Sequence, residues 1–295
     1  MTLGYDDATG YEAGLGNAFG ASVGRNANRI GGAVIEINGT EYHLTKNDGE
    51  NNLHSGLDFY HGRLWKVADA DDTHVTFEMD SPDGDQGYPG ALDMKVTYTL
   101  DEENGLTIHY EAVPDQDTVI NMTNHSYFNL NGHKSGSVLH HRMQLLSDAF
   151  TPADAQSIPT GEVCSVDGTP MDFRSTKELG AEIDAAYEPL ILGNGYDHNW
   201  VLKNEGRFDK VAEVTGDESG IVMEVWTDRP GVQVYTANFL ENEAGRNGAV
   251  YQKRDAVCLE TQNYPDAVHQ KNFPEAICKK GETYDTKTAY RFHIE

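Results

Sequence analysis

The chain has 295 residues, with 22 Lys and Arg against 48 Asp and Glu, and a formal charge of −26. A field of that sign argues against nucleic acid and anionic membranes as partners and suits a neutral or cationic ligand; general solubility or adaptation to a salty habitat accounts for it equally well. With 38% hydrophobic and 24% charged residues, the chain is neither a disordered nor a membrane type, and no stretch approaches the roughly 20 apolar residues of a membrane span.

Met1–Gly10 lacks a basic region and an apolar run, which predicts no secretory signal. Three scattered cysteines, Cys164, Cys258 and Cys278, make neither a disulfide framework nor a zinc site, so reduced cytoplasmic thiols are expected. Gly24-Arg-Asn-Ala-Asn-Arg-Ile30 gathers two arginines and two asparagines. Such a cluster is either a solvated turn or a fork of donors for hydroxyl oxygens. Asn51-Asn-Leu-His54-Ser-Gly56 sets a histidine beside a turn, where it either points into a cleft or serves as a structural residue.

Strand patterns then dominate. Thr73–Asp80 and Ala91–Leu100 alternate apolar and polar residues, and the alternation resumes at Leu106 after Asn104-Gly105. Two period-2 runs around an Asn-Gly turn predict a hairpin, and one polar face per strand suits antiparallel sheets. Further strands are predicted at Val119–Thr123, His141–Leu146, Gly220–Thr227, Val232–Ala237 and Ala256–Thr261. Gly220–Thr227 has apolar residues on both faces, which predicts a central place. Only Thr176–Ala186 has a helical pattern. No repeat or linker interrupts the chain, so one all-β domain over residues 1–295 is expected, a large antiparallel β-sandwich.

Nothing fits a dinucleotide loop or a serine-hydrolase elbow. Twelve histidines raise the question of a metal, but His140-His141 and Asp197-His198 are adjacent pairs without the helical i, i+4 spacing of common sites. Two segments break the rules for their context. Asn121-Met-Thr-Asn-His125-Ser-Tyr127-Phe-Asn129 puts polar groups where a core strand should be apolar, a pattern shared by functional sites and strand-end hydrogen-bond networks. Val257-Cys-Leu-Glu260-Thr-Gln-Asn-Tyr-Pro265 closes an apolar strand with a carboxylate. Partial desolvation there raises its pKa and strengthens it as a base; the plainer reading is a surface charge.

Taken together, Gly24–Ile30, Asn52-Leu-His54, Thr123–Asn129, Gly195-Tyr-Asp-His198, Pro230–Tyr235 and Leu259-Glu-Thr-Gln262, in that order, resemble the aldose 1-epimerase (galactose mutarotase) family. The resemblance implies a β-sandwich with an open cleft on one sheet and cofactor-free, metal-free interconversion of the α and β anomers of a free hexose, galactose or glucose. It implies His125 as general acid and Glu260 as general base. It places Asn28, Arg29, His54, Tyr127, Asp197 and Gln233 where the family holds sugar hydroxyls. The expected partner is a small-molecule aldose, with the chain a monomer or homodimer. At ordinary values, about 6.5 for His and about 4.3 for Glu, His125 is expected protonated and Glu260 ionised over a mildly acidic to neutral window, with Asp197 favouring the protonated His125 or gripping a hydroxyl. Two rival readings remain on the same residues. One is a glycoside hydrolase using Asp197 and Glu260 as its carboxylate pair; the other is a non-catalytic sugar-binding protein. Two departures from the family pattern carry expectations. The family's first N-terminal strands are not seen before Leu3-Gly-Tyr5, so either another segment or subunit is expected to cover the edge they would leave, or the chain is a short version of the family. Ser55 stands where the family commonly has glycine, which predicts a shifted backbone near His54.

Overall fold

The computed structural model describes residues 1–295. Leu92–Leu100 and Gly105–Pro114 form the expected hairpin, with Leu100 paired to Leu106. Asn104 turns it at φ 60°, a left-handed conformation that asparagine tolerates better than most residues. The hairpin lies within a nine-stranded sheet. Its order is Lys177–Glu178, Arg142–Leu145, Asp209–Thr215, Ile221–Thr227, Tyr284–Ile294, Gly105–Pro114, Leu92–Leu100, His74–Ser81 and Lys66–Ala70. Ile221–Thr227 is interior, as expected. Met223 and Val225 are buried in the core, and Trp226, on the other face, lies under the Arg291 guanidinium at 4.4 Å. The outermost strand, Lys66–Ala70, is exposed at all five residues.

A second sheet runs Cys164–Ser165, Ala149–Thr151, Asp197–Val201, Gly231–Tyr235 and Cys258–Gln262. The pairings within both sheets are antiparallel. One apolar cluster joins Met94, Val96, Ile108, Tyr110 and Val225 of the larger sheet to Phe150, Trp200, Val232, Val234 and Leu259 of the smaller. Two sheets sharing a core make a β-sandwich, the architecture the alternating sequence requires.

Two expectations are corrected. Thr176–Ala186 is not a helix. Lys177–Glu178 pairs with Arg142–Met143, and the backbone then donates from Leu179 to His141 and from Gly180 to Leu139. The available sheet edge takes the donors a helix would need, and tertiary pairing overrides a short helical pattern. The α-helices that do form are Ala8–Ala13, capped by Asp7, and Glu188–Leu192. The strand expected at Val119–Thr123 is split. Thr118–Val119 pairs with Ile277–Cys278, while Thr123–His125 pairs with Ala21–Val23.

Candidate active site

Side chains alternate along a strand, so each strand of the smaller sheet presents one face to the core and one outward. On Asp197–Val201 the core face holds His198 and Trp200, and on Gly231–Tyr235 it holds Val232 and Val234. The opposite face forms cross-strand rows. Asn199, Gln233 and Glu260 stand side by side, and next to them stand Asp197, Tyr235 and Cys258. A third row ends at Gln262, where Gly231 leaves space: a Cβ on Gly231 would meet the Tyr264 ring at 2.9 Å and the side-chain Oδ1 of Asn199 at 2.3 Å. This polar face is the floor of the site.

His125 reaches the floor from the neighbouring strand Thr123–His125, which Thr123 ties down by donating its hydroxyl to the Thr261 carbonyl at 2.8 Å. His125 Nε2 lies 3.5 Å from Glu260 Oε1. Both side chains are almost enclosed, at 8% and 3% exposed. Burial pushes the Glu260 carboxyl well above the usual carboxylate range, and the neighbouring Asp197 adds to that rise. Burial holds His125 down at about 4. The expectation of ordinary values for this pair is therefore corrected. Each group is driven toward its neutral form by the loss of water, and the contact between them opposes that drive. The consequence is one proton held by the pair across the range between His125's lowered value and Glu260's raised one.

Two loops complete the walls. Arg29–Ile30 pairs with Asn52–Leu53, which brings Asn28 and His54 together. His54 Nδ1 accepts from the Asn28 backbone N–H at 3.1 Å, and the His54 N–H donates to the Asn28 carbonyl at 3.1 Å. Arg29 Nε donates to Asp48 Oδ2 at 2.7 Å, which fixes the guanidinium while leaving Nη1 and Nη2 outside that bond. Asp197 accepts from Gln233 Nε2 at 2.8 Å; burial raises the Asp197 pKa, with Arg29 and that bond opposing. Tyr127 stacks on His125, ring centroids 4.9 Å apart. The structure thus brings His54, His125, Tyr127, Asp197, Gln233 and Glu260 to one place, with Asn28 and Arg29 at its side.

Ser55 adopts a glycine-like backbone, at φ 72°, after His54 at φ 50°. The serine hydroxyl accepts from the Asn26 N–H at 2.7 Å and donates to the Asn26 carbonyl at 3.2 Å. These bonds offset a left-handed conformation that costs of order 1 kcal/mol or more for such a residue.

Ligating atoms of His54, His125 and Glu260 lie within 4.8 Å of one another, a spacing open to a metal. The donor chemistry does not fit one. His54 Nδ1 accepts a backbone hydrogen, so its remaining nitrogen carries the proton and offers an N–H rather than a lone pair. His125 Nδ1 has no carboxylate or carbonyl partner on another residue of the kind that orients a metal-binding imidazole. Burial holds His54 well below its ordinary pKa, with the neighbouring His125 and Arg29 adding to the effect, so it is a neutral donor.

Glu260 Oε2, Gln233 Oε1, Asn199 Oδ1, His125 Nδ1 and both polar atoms of Gln262 are buried without a hydrogen-bond partner. Each such atom costs about 1–3 kcal/mol in a folded protein, and their concentration here marks a surface that awaits hydroxyl groups. Asn199, Tyr235, Gln262 and Asp48 escaped the sequence reading. The alternation Asp197-His-Asn-Trp-Val201 was a signal for Asn199; Gln262 and Asp48 needed the strand register and the loop pairing.

A β-sandwich with a buried His–Glu contact over a sheet face of unpaired polar side chains has the groups that proton transfer on a polyhydroxylated ligand needs. The aldose 1-epimerase family model matches residues 1–291. Galactose mutarotases of Bos taurus and Homo sapiens are each 43% identical over all 295 residues, covering 84% of those proteins. Aldose 1-epimerase of Escherichia coli is 37% identical over 94% of this chain and 80% of its own. Among solved structures, an aldose epimerase homologue from C. elegans superposes at a TM-score of 0.91, with 29% identity over 99% of this chain and 87% of that one. The galactose 1-epimerase of Lactobacillus acidophilus superposes at 0.87, with 26% identity over 100% and 85%. This chain belongs to the aldose 1-epimerase family and is an isomerase.

Proposed function

We propose that the chain interconverts the α and β anomers of free galactose or glucose, with His125 and Glu260 as the acid–base pair. The 3.5 Å approach of His125 Nε2 to Glu260 Oε1 on a polar floor carries this reading. Glu260 takes the proton of the C1 hydroxyl while the C1–O5 bond breaks. Its electron pair goes to O5, which His125 protonates. O1 becomes the carbonyl oxygen of the open aldehyde. After rotation about C1–C2, O5 attacks the other face of C1; His125 recovers its proton and Glu260 returns one to O1. Protons and electrons balance with no redox partner; the reacting form of the pair is the one with its proton on His125 and Glu260 ionised. Asn28, Arg29, His54, Asp197 and Gln233 hold the remaining hydroxyls. A glycosidase acting through Asp197 and Glu260 leaves His125 without a task.

Three free cysteines suit a reducing cytoplasm, and no helix is long and apolar enough to cross a membrane. Polarimetry on fresh α-galactose and α-glucose tests the activity. His125→Ala and Glu260→Gln should each lower the rate about 10²- to 10⁴-fold, the usual worth of a positioned proton transfer. Unchanged rates in either variant sink the assignment.

A further inference from the structure

An imidazole that moves protons is ordinarily aimed by a hydrogen bond on its second nitrogen. His125 lacks one from any other residue: Nδ1 is buried, and the one group within its reach is the backbone of His125 itself. Its ring is instead enclosed by other rings. Tyr127 stacks against one face, centroids 4.9 Å apart and planes at 23°. Tyr235 meets it edge-on at 6.1 Å, and His54 edge-on at 5.6 Å. Behind the stack, Phe19 sets its edge on Tyr127 at 4.8 Å and 87°, and is itself wedged against Tyr5 at 5.2 Å and Tyr251 at 5.7 Å.

We propose that Tyr127, braced by Phe19, is a positioning residue that aims the His125 ring by packing, in place of the missing hydrogen bond. This rests on the acid–base reading of His125. Aromatic pairs of this geometry contribute about 0.5–1.5 kcal/mol each beyond area burial, and three hold the Tyr127 ring: those with His125 and Phe19, and one with Tyr235, edge-on at 6.0 Å. Tyr127 also helps keep water from the imidazole. The other ionisable groups around the pair are His54, His61, Arg29, Asp197, Tyr235 and Cys258. None of them offers Nδ1 a hydrogen bond.

Removal of the ring and removal of the phenol oxygen have different consequences. Tyr127→Leu should lower kcat about tenfold to hundredfold, the order expected from a misaligned group, with KM nearly unchanged. Its acidic limb in the pH–kcat profile should move upward as the imidazole gains water. Tyr127→Phe keeps the ring and should restore both kcat and the profile. Phe19→Leu should give a smaller fall in kcat of the same kind, and it serves as the test if Tyr127→Leu does not fold. The proposal is overturned if Tyr127→Leu, or Phe19→Leu in its place, keeps wild-type kcat. It is equally overturned if Tyr127→Phe is as impaired as Tyr127→Leu, which would assign the effect to the hydroxyl. Absence of mutarotation in the wild-type protein defeats the acid–base reading itself, a result distinct from either.

Discussion

Glu260 and His125 each resist ionisation, and that resistance is a property of single residues with a measurable effect on the fold. Burial raises the Glu260 pKa above its unfolded value of about 4.5. Below that value folded and unfolded states both hold the proton. As pH rises past it the unfolded carboxyl ionises first, so the wild-type fold loses stability toward neutral pH. Glu260→Gln removes the titration. The variant should therefore melt higher than the wild type at neutral pH, with the advantage shrinking as pH falls toward 4.5; thermal denaturation across that range decides it. His125 carries the opposite sign. Its folded value of about 4 lies below the ordinary 6.5, so the fold loses stability as pH drops from 6.5 toward 4. The pair penalises the fold from both sides, as expected where a site is kept for chemistry rather than stability.

Elements show how a rule-breaking residue is accommodated. Ser55 takes a left-handed backbone, and its hydroxyl makes both bonds to Asn26. Ser55→Ala keeps the strain and loses the bonds, so it should destabilise by about 1–3 kcal/mol. Ser55→Gly loses the bonds but relieves the strain, and should cost less. Urea unfolding of the two variants checks the order, and equal losses would remove the strain argument. The hairpin at Asn104-Gly105 and the interior strand Ile221–Thr227 were legible in the sequence because period-2 patterning and turn chemistry are local. The helix expected at Thr176–Ala186 failed for the opposite reason, since a distant strand, Arg142–Leu145, takes up its backbone donors and acceptors. His125 and Glu260 were visible as polar breaks in apolar context. Their separation, and the company of Asn199 and Gln262, depend on which strands become neighbours. The displaced protonation of the pair was hidden as well, because burial is set by the whole fold.

At the scale of the molecule, the charge of −26 works against compaction and leaves a neutral sugar indifferent. Salt screens surface charges over about 8 Å at physiological ionic strength. Added sodium chloride should raise the melting temperature while leaving KM for galactose flat. A KM that follows salt would place charge in substrate capture.

The floor of the site is the outer side of strands whose inner side is the core. Gln233 sits between Val232 and Val234, and Glu260 follows Leu259 on the same backbone. No hinge or detachable loop separates reactive groups from structural ones on that sheet. A one-residue slip of Gly231–Tyr235 would turn valines to the sugar and an amide to the interior. Catalysis and cohesion in this protein therefore have a common point of failure, and denatured molecules should lose both at once.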